Sequence, residues 1–193
     1  MPVKHSSRAQ ALKKEEFSRY LRLEILLYYY KQIMLGDSIG KDVDNFYNTF
    51  LPLYFKAEEN YGVEQESRVA KDLGIFQRSD LTIRTIKNGT PKKIILLEDK
   101  CKEIETQDAA WAAALDQVTR YACLIRTEPG QNAASDILYL TVNIGTYIRF
   151  YELHLNESTA RDFGPAEGQL LELADNEEEI HQLFTRLHDL TMH

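Results

Sequence analysis

Residues 92–103 read KKIILLEDKCKE, an apolar run that stops in charge. Four apolar residues in a row, Ile94 to Leu97, suit a strand covered on both faces. Such a strand usually ends at Gly, Asn or Pro, yet here Glu98, Asp99 and Lys100 follow directly. A second strand signal, 80–86, opens on Asp80, and the two are joined by Lys87-Asn88-Gly89-Thr90-Pro91. An Asn-Gly pair between apolar runs is a strong hairpin cue. Pairing symmetric about Gly89 sets Asp80 opposite Glu98, on one face, with Cβ atoms roughly 4.5–5.5 Å apart. Strand alternation adds Lys100 to that face and turns Asp99 to the other, leaving Asp99 at most a backbone carbonyl to offer. A register slip of one residue would undo this arrangement.

Two carboxylates that close repel unless a cation neutralises them. Mg²⁺ or Mn²⁺ suits the position, because Mg²⁺ takes hard oxygen ligands, keeps several waters and binds through one or two carboxylates plus a substrate phosphate. A metal so placed polarises a phosphodiester and lowers the pKa of a bound water, and an adjacent lysine stabilises charge on the transition state. The set Asp80, Glu98 and Lys100 therefore describes metal-dependent phosphodiester hydrolysis. The competing account is a strand end bearing solvated charges.

Asp80 followed by Glu98-Asp99-Lys100 at the end of an apolar strand resembles the D…(D/E)xK motif of the PD-(D/E)xK nuclease superfamily. The preceding Arg78-Ser79 departs from the family's PD spelling. Residues 117–121, QVTRY, look like the QxxxY element of RecB-like nucleases, with Gln117 and Tyr121 four apart on one helix face. The resemblance implies a restriction-endonuclease-like α/β fold, a mixed sheet flanked by helices, over roughly residues 58–153. It implies Asp80, Glu98 and Asp99 as metal positions, Lys100 and Gln117 as catalytic, and Tyr121 near the substrate backbone. It also implies a further acid from a helix before the first motif strand, for which Glu66 and Glu64 are the candidates, with Glu24 third. Arg84 and Arg120 are candidates for phosphate contact, against a default role as surface charges.

The elements that must position these residues read as one domain. A helix is expected over 13–35, ending at Gly36, as an N-terminal extension reaching back to about residue 11. Residues 42–56 are aromatic-rich and broken by Pro52, suiting a short helix and a loop, and 58–73 reads as another helix. After the hairpin, Asp108 can cap an Ala-rich helix over 109–126. Strands are expected at 136–142 and 147–153, and a C-terminal helix at 176–190. Trp111 reads as a packing residue.

Composition bounds the partners. The 193 residues are 44% hydrophobic and 27% charged, with net charge −7, which suits a single globular domain. The balance counts against strong sequence-independent affinity for nucleic acid, which comes from Lys and Arg neutralising phosphates. Residues 1–22 nevertheless carry six basic against two acidic side chains, and 152–193 ten acidic against two basic. The two cysteines, Cys101 and Cys123, lack metal-knuckle spacing and suit a reducing, intracellular setting, cytoplasmic or nuclear. No segment has the length and apolarity of a membrane span, and the scattered histidines form no HExxH. The leading expectation is a nuclease acting on DNA or RNA. The alternatives are a catalytically weak relative acting as a nucleic-acid- or protein-binding module, a homodimer being compatible with it, and an interaction protein that docks a partner through the aromatic segment 42–61.

Overall fold

The computed structural model describes residues 17–36, 41–65, 80–128, 137–164 and 168–192. Among these are seven strands, β1 (Tyr61–Gln65), β2 (Leu81–Lys87), β3 (Thr90–Lys100), β4 (Leu138–Ile144), β5 (Tyr147–Leu153), β6 (Arg161–Asp162) and β7 (Leu171–Glu172). Four α-helices flank them: α1 (Glu24–Leu35), α2 (Lys41–Phe50), α3 (Asp108–Ile125) and α4 (Glu177–Thr191). The strands form one open sheet in the order β1-β2-β3-β4-β5-β6, with β7 also on β5. Every pairing is antiparallel except β3 with β4. That parallel step requires a crossover, which α3 supplies. The molecule is thus α/β with a mixed, mostly antiparallel sheet, and no described helix is long and apolar enough to cross a membrane.

Alternation along β3 sorts its side chains between two cores. Leu96 joins Leu140, Val142 and Tyr151 under α3, while Ile95 and Leu97 join Leu81, Ile83 and Phe150 under α1, α2 and α4. Both faces are covered, which explains the unbroken apolar run.

The hairpin closes in two residues. Asn88 and Gly89 both have positive φ, 53° and 75°, the conformation of a type I′ turn. Lys87 pairs with Thr90, so the turn centre lies half a residue earlier than symmetry about Gly89 demands. A bulge at Ile94 then restores the expected register: Arg84 pairs with Lys93, but Ile83 pairs with Ile95 and Leu81 with Leu97.

Three expectations need correction. Residues 61–65 form β1, not part of a helix over 58–73, and 66–73 lie outside the described residues; the alternation Tyr61, Val63 against Gly62, Glu64 overrides a weak helical pattern. The N-terminal helix is not continuous: a 3₁₀ turn at Tyr20–Arg22 and an extended Leu23 (φ −77°, ψ 120°) precede α1. Residues 11–16 lie outside the described residues. The aromatic segment is core, not a docking surface. Phe46, Tyr47, Phe50, Phe55 and Tyr61 are buried, and Phe50 meets Tyr20 and Phe184 edge-on.

The β4–β5 turn is fitted tightly against the chain that follows β3. Gly145 has φ +61°, and its N–H donates to the Lys100 carbonyl at 3.1 Å. A Cβ there would lie 2.5 Å from Glu105 Oε2 and 3.0 Å from Lys102 Cα. Left-handed strain and the clash act together, so Gly145→Ala is expected to cost about 2–3 kcal/mol in denaturant unfolding. An unchanged midpoint would contradict this packing.

Candidate active site

The C-terminal end of β3 gathers the motif. The Asp80 N–H donates to the Leu97 carbonyl at 3.0 Å, just past the last β2–β3 pair, Leu81 with Leu97. Asp80 Oδ2 in turn accepts the Asp99 N–H at 2.6 Å. Glu98 is fully buried and points to the α3 side. There Lys100 Nζ donates to Glu98 Oε1 and lies 3.4 Å from Gln117 Oε1 on α3. Glu98 Oε2 is buried with no hydrogen-bond partner among the described residues.

Asp99 faces the other core, as alternation requires. Its Oδ1 accepts from Asn143 Nδ2 at 2.6 Å, and its charge reaches Tyr47 on α2. Asp80 therefore bridges the two faces, touching the Asp99 backbone while its charge acts on Glu98.

These contacts set the ionisation of the cluster. Burial, then the charge of Asp80, pushes the Glu98 carboxyl from 4.5 up to about 7, against the opposing pull of Lys100. Burial and Asp80 also raise Asp99 well above the carboxylate range, only partly offset by Asn143. Burial pulls Lys100 down, but its hydrogen bond to Glu98 and the charges of Glu98, Asp80 and Asp99 outweigh it, so it stays an ammonium. The Asp44 carboxylate on α2 adds to the repulsion on both Glu98 and Asp99.

Asp44 is the acid that sequence reasoning missed. The misread helix at 58–73 drew attention to Glu64 and Glu66, whereas the described helix preceding the motif strands is α2. The spacing of Val43, Phe46, Tyr47 and Phe50 marks the buried face of α2. It could have placed Asp44 beside that face.

The remaining candidates separate. Glu64 lies on β1 and holds Arg84 through a two-point ion pair, 2.7 and 3.1 Å, so each occupies the other's charge. Glu66 lies outside the described residues. Glu24 opens α1. Arg120 is exposed on α3 and pairs with Asp116 at 3.0 Å. Tyr121 is 1% exposed, part of the core beneath α3, with Arg84 in its electrostatic neighbourhood. Asp108 is the first residue of α3, and Gln107 stands at its cap position without a side-chain cap bond.

Among the described residues no three His, Cys, Asp or Glu side chains are grouped so as to hold a metal ion by themselves. The two carboxylates Asp80 and Glu98, with the unpartnered Glu98 Oε2, fit the sparse protein donor set that Mg²⁺ accepts when water and substrate oxygens complete its shell. No protein-family model matches the chain, and the searches of curated proteins and of solved structures gave no match.

Burial and repulsion raise the Glu98 pKa only in the folded chain. The folded carboxyl holds its proton more tightly than the unfolded chain does. Its stabilising contribution is therefore complete below about 4.5 and is lost as pH rises toward 7. Glu98→Gln cannot ionise, so its stability relative to the parent is expected to rise by roughly 2–3 kcal/mol between pH 5 and pH 8 without metal. Denaturant unfolding at both pH values checks this; a constant difference would contradict the burial and repulsion assigned to Glu98.

Proposed function

We propose that the chain is a Mg²⁺- or Mn²⁺-dependent nuclease of restriction-endonuclease-like fold that hydrolyses phosphodiester bonds of DNA or RNA. One observation carries the reading: at the end of β3 Lys100 is tied to both Glu98 and Gln117, and Asp80 Oδ2 accepts the Asp99 N–H beside them. The mixed sheet with helices on both faces, and the order of hairpin, helix and two further strands, is consistent with that fold.

Asp80 and Glu98 would hold the ion, together with the Asp99 backbone carbonyl. Once bound, the ion supplies Lewis-acid polarisation of the phosphodiester and a water of lowered pKa. Lys100, held as an ammonium, offsets charge developing on the phosphoryl oxygens as the P–O bond to the leaving group breaks. Gln117 acts on Lys100 and is a positioning residue. The buried environment strengthens each of these terms.

Labelled single-stranded DNA, duplex DNA and RNA, incubated with Mg²⁺, with Mn²⁺ or with chelator, test the reading. Cleavage is expected with metal only, falling at least about 100-fold in Glu98→Ala and Lys100→Ala. Gln117→Ala is expected to fall about tenfold in kcat with KM nearly unchanged. Cleavage that survives both Glu98→Ala and Lys100→Ala would sink the assignment. Metal-dependent binding of a nucleic acid without cleavage would favour the alternative, a catalytically weak binding module.

A further inference from the structure

A second concavity lies across α3 from the acid cluster. It has a volume of ≈ 820 Å³, within the roughly 300–1,000 Å³ range of small-ligand sites. Trp111 and Leu115 of α3 form one wall, and Tyr147, Arg149 and Tyr151 of β5 form the floor. Gln117 reaches Lys100 on β3, whereas this cleft opens over β5. With β4 between those strands, the two sites sit on opposite flanks of one helix.

Cross-strand registry ties them together. Glu98 pairs with Val142, and Val142 with Arg149. Directly paired residues share a face, so Glu98 and Arg149 project to the α3 side two strands apart, about 10 Å between backbones.

The lining selects a ligand chemistry. Trp111 is fixed by its Nε1–H, which donates to the Glu105 carbonyl at 2.9 Å. The guanidinium of Arg149 is held by Asp162 at 3.2 Å and lies 5.3 Å from the Tyr151 ring centroid. Its Nε is buried with no hydrogen-bond partner among the described residues, so the single bond to Asp162 leaves the donors of the guanidinium incompletely used. Arg161, itself paired with Glu157, adds a second guanidinium to the wall, and Glu105, Asp108 and Asp162 line the cleft as well. The first turn of α3 also opens here, and its cap position makes no side-chain bond to the helix amides. Aromatic and apolar walls accept a planar ring, and the donors that Asp162 leaves unused on Arg149 favour an anion attached to it.

We propose that this cleft is a nucleotide site that takes a nucleobase against its aromatic wall and a phosphate on the Arg149 side. The choice of a nucleotide among anion-bearing rings rests on the nuclease reading. The nucleotide comes from an unpaired position of the substrate strand or from free mononucleotide.

Trp111 is the one tryptophan in the chain and stands in the wall, so its fluorescence reports occupancy directly. Adenosine monophosphate, a single-stranded oligonucleotide and inorganic phosphate are titrated in chelator, so that nothing is cut. Saturable quenching by the mononucleotide is expected, at least tenfold tighter than any effect of inorganic phosphate. Quenching by the oligonucleotide as well assigns the site to the strand; quenching by mononucleotide alone assigns it to a free nucleotide. Ala112→Phe, at an exposed helix position lining the cleft, narrows it while leaving Trp111 itself in place, and is expected to weaken quenching at least tenfold with helicity unchanged. Arg149→Met is expected to weaken it at least tenfold. No saturable quenching by either nucleotide, equal quenching by inorganic phosphate, or full quenching in Ala112→Phe would overturn the proposal. Glu98→Gln separates the two readings: cleavage absent from the parent protein while quenching persists counts against the nuclease alone, and quenching in Glu98→Gln is expected to match the parent.

Discussion

Repulsion among Asp80, Glu98 and Asp99 at the end of β3 is the constraint that the rest of the structure accommodates. Glu98 and Asp99 are adjacent and both buried, and Asp80 acts on each. Leaving several carboxylates ionised and dry at one strand end is costly. The fold meets that cost with an ammonium on Glu98, an amide on Asp99 and a backbone N–H on Asp80. Protons held above the usual carboxylate range supply the remainder. A divalent cation held as proposed by Asp80 and Glu98 would replace the proton on Glu98, whose Oε2 is buried without a hydrogen-bond partner among the described residues; Asp99 Oδ2, likewise without one, lies toward the other core.

Three features of the architecture keep the cluster in place. The Ile94 bulge corrects the hairpin register so that Leu81 pairs with Leu97, which brings Asp80 to the end of β3. The parallel step to β4 brings Asn143 beside Asp99 and forces the crossover that carries Gln117 to Lys100. Burial on both faces of β3 then prevents a slip, since moving by one residue would exchange Leu96 and Glu98 with Leu97 and Asp99 between the two cores.

Much of this was legible in the sequence, because it follows from local rules. The Asn-Gly turn, the apolar run of β3, the helix around residues 108–125 and the β4–β5 pair all declare themselves by turn chemistry or periodicity. Parity alone set Glu98 and Lys100 on one face and Asp99 on the other. The bulge was not legible, and symmetry about Gly89 gave the register near Asp80 through two offsets that cancel. Asp44 was missed because its proximity is tertiary: nothing in the local pattern of α2 says which strand end that helix meets. The Arg84–Glu64 pair was hidden because β1 was read as helix, which made two mutually neutralised side chains look like separate candidates. The cleft beside Trp111 depends on how β6 and Leu170 sit beside β5, and two-residue strands carry almost no periodicity to read.

The most direct test of the account is thermal unfolding with and without millimolar Mg²⁺ or Mn²⁺, at pH 5.5 and pH 8, for the parent protein and Glu98→Gln. Cation binding at Asp80 and Glu98 competes with the proton on Glu98. The parent is therefore expected to gain roughly 5 °C on adding metal at pH 8 and little at pH 5.5, and Glu98→Gln little at either. Equal metal shifts in parent and variant, or none in the parent at pH 8, would show that this cluster does not hold a cation.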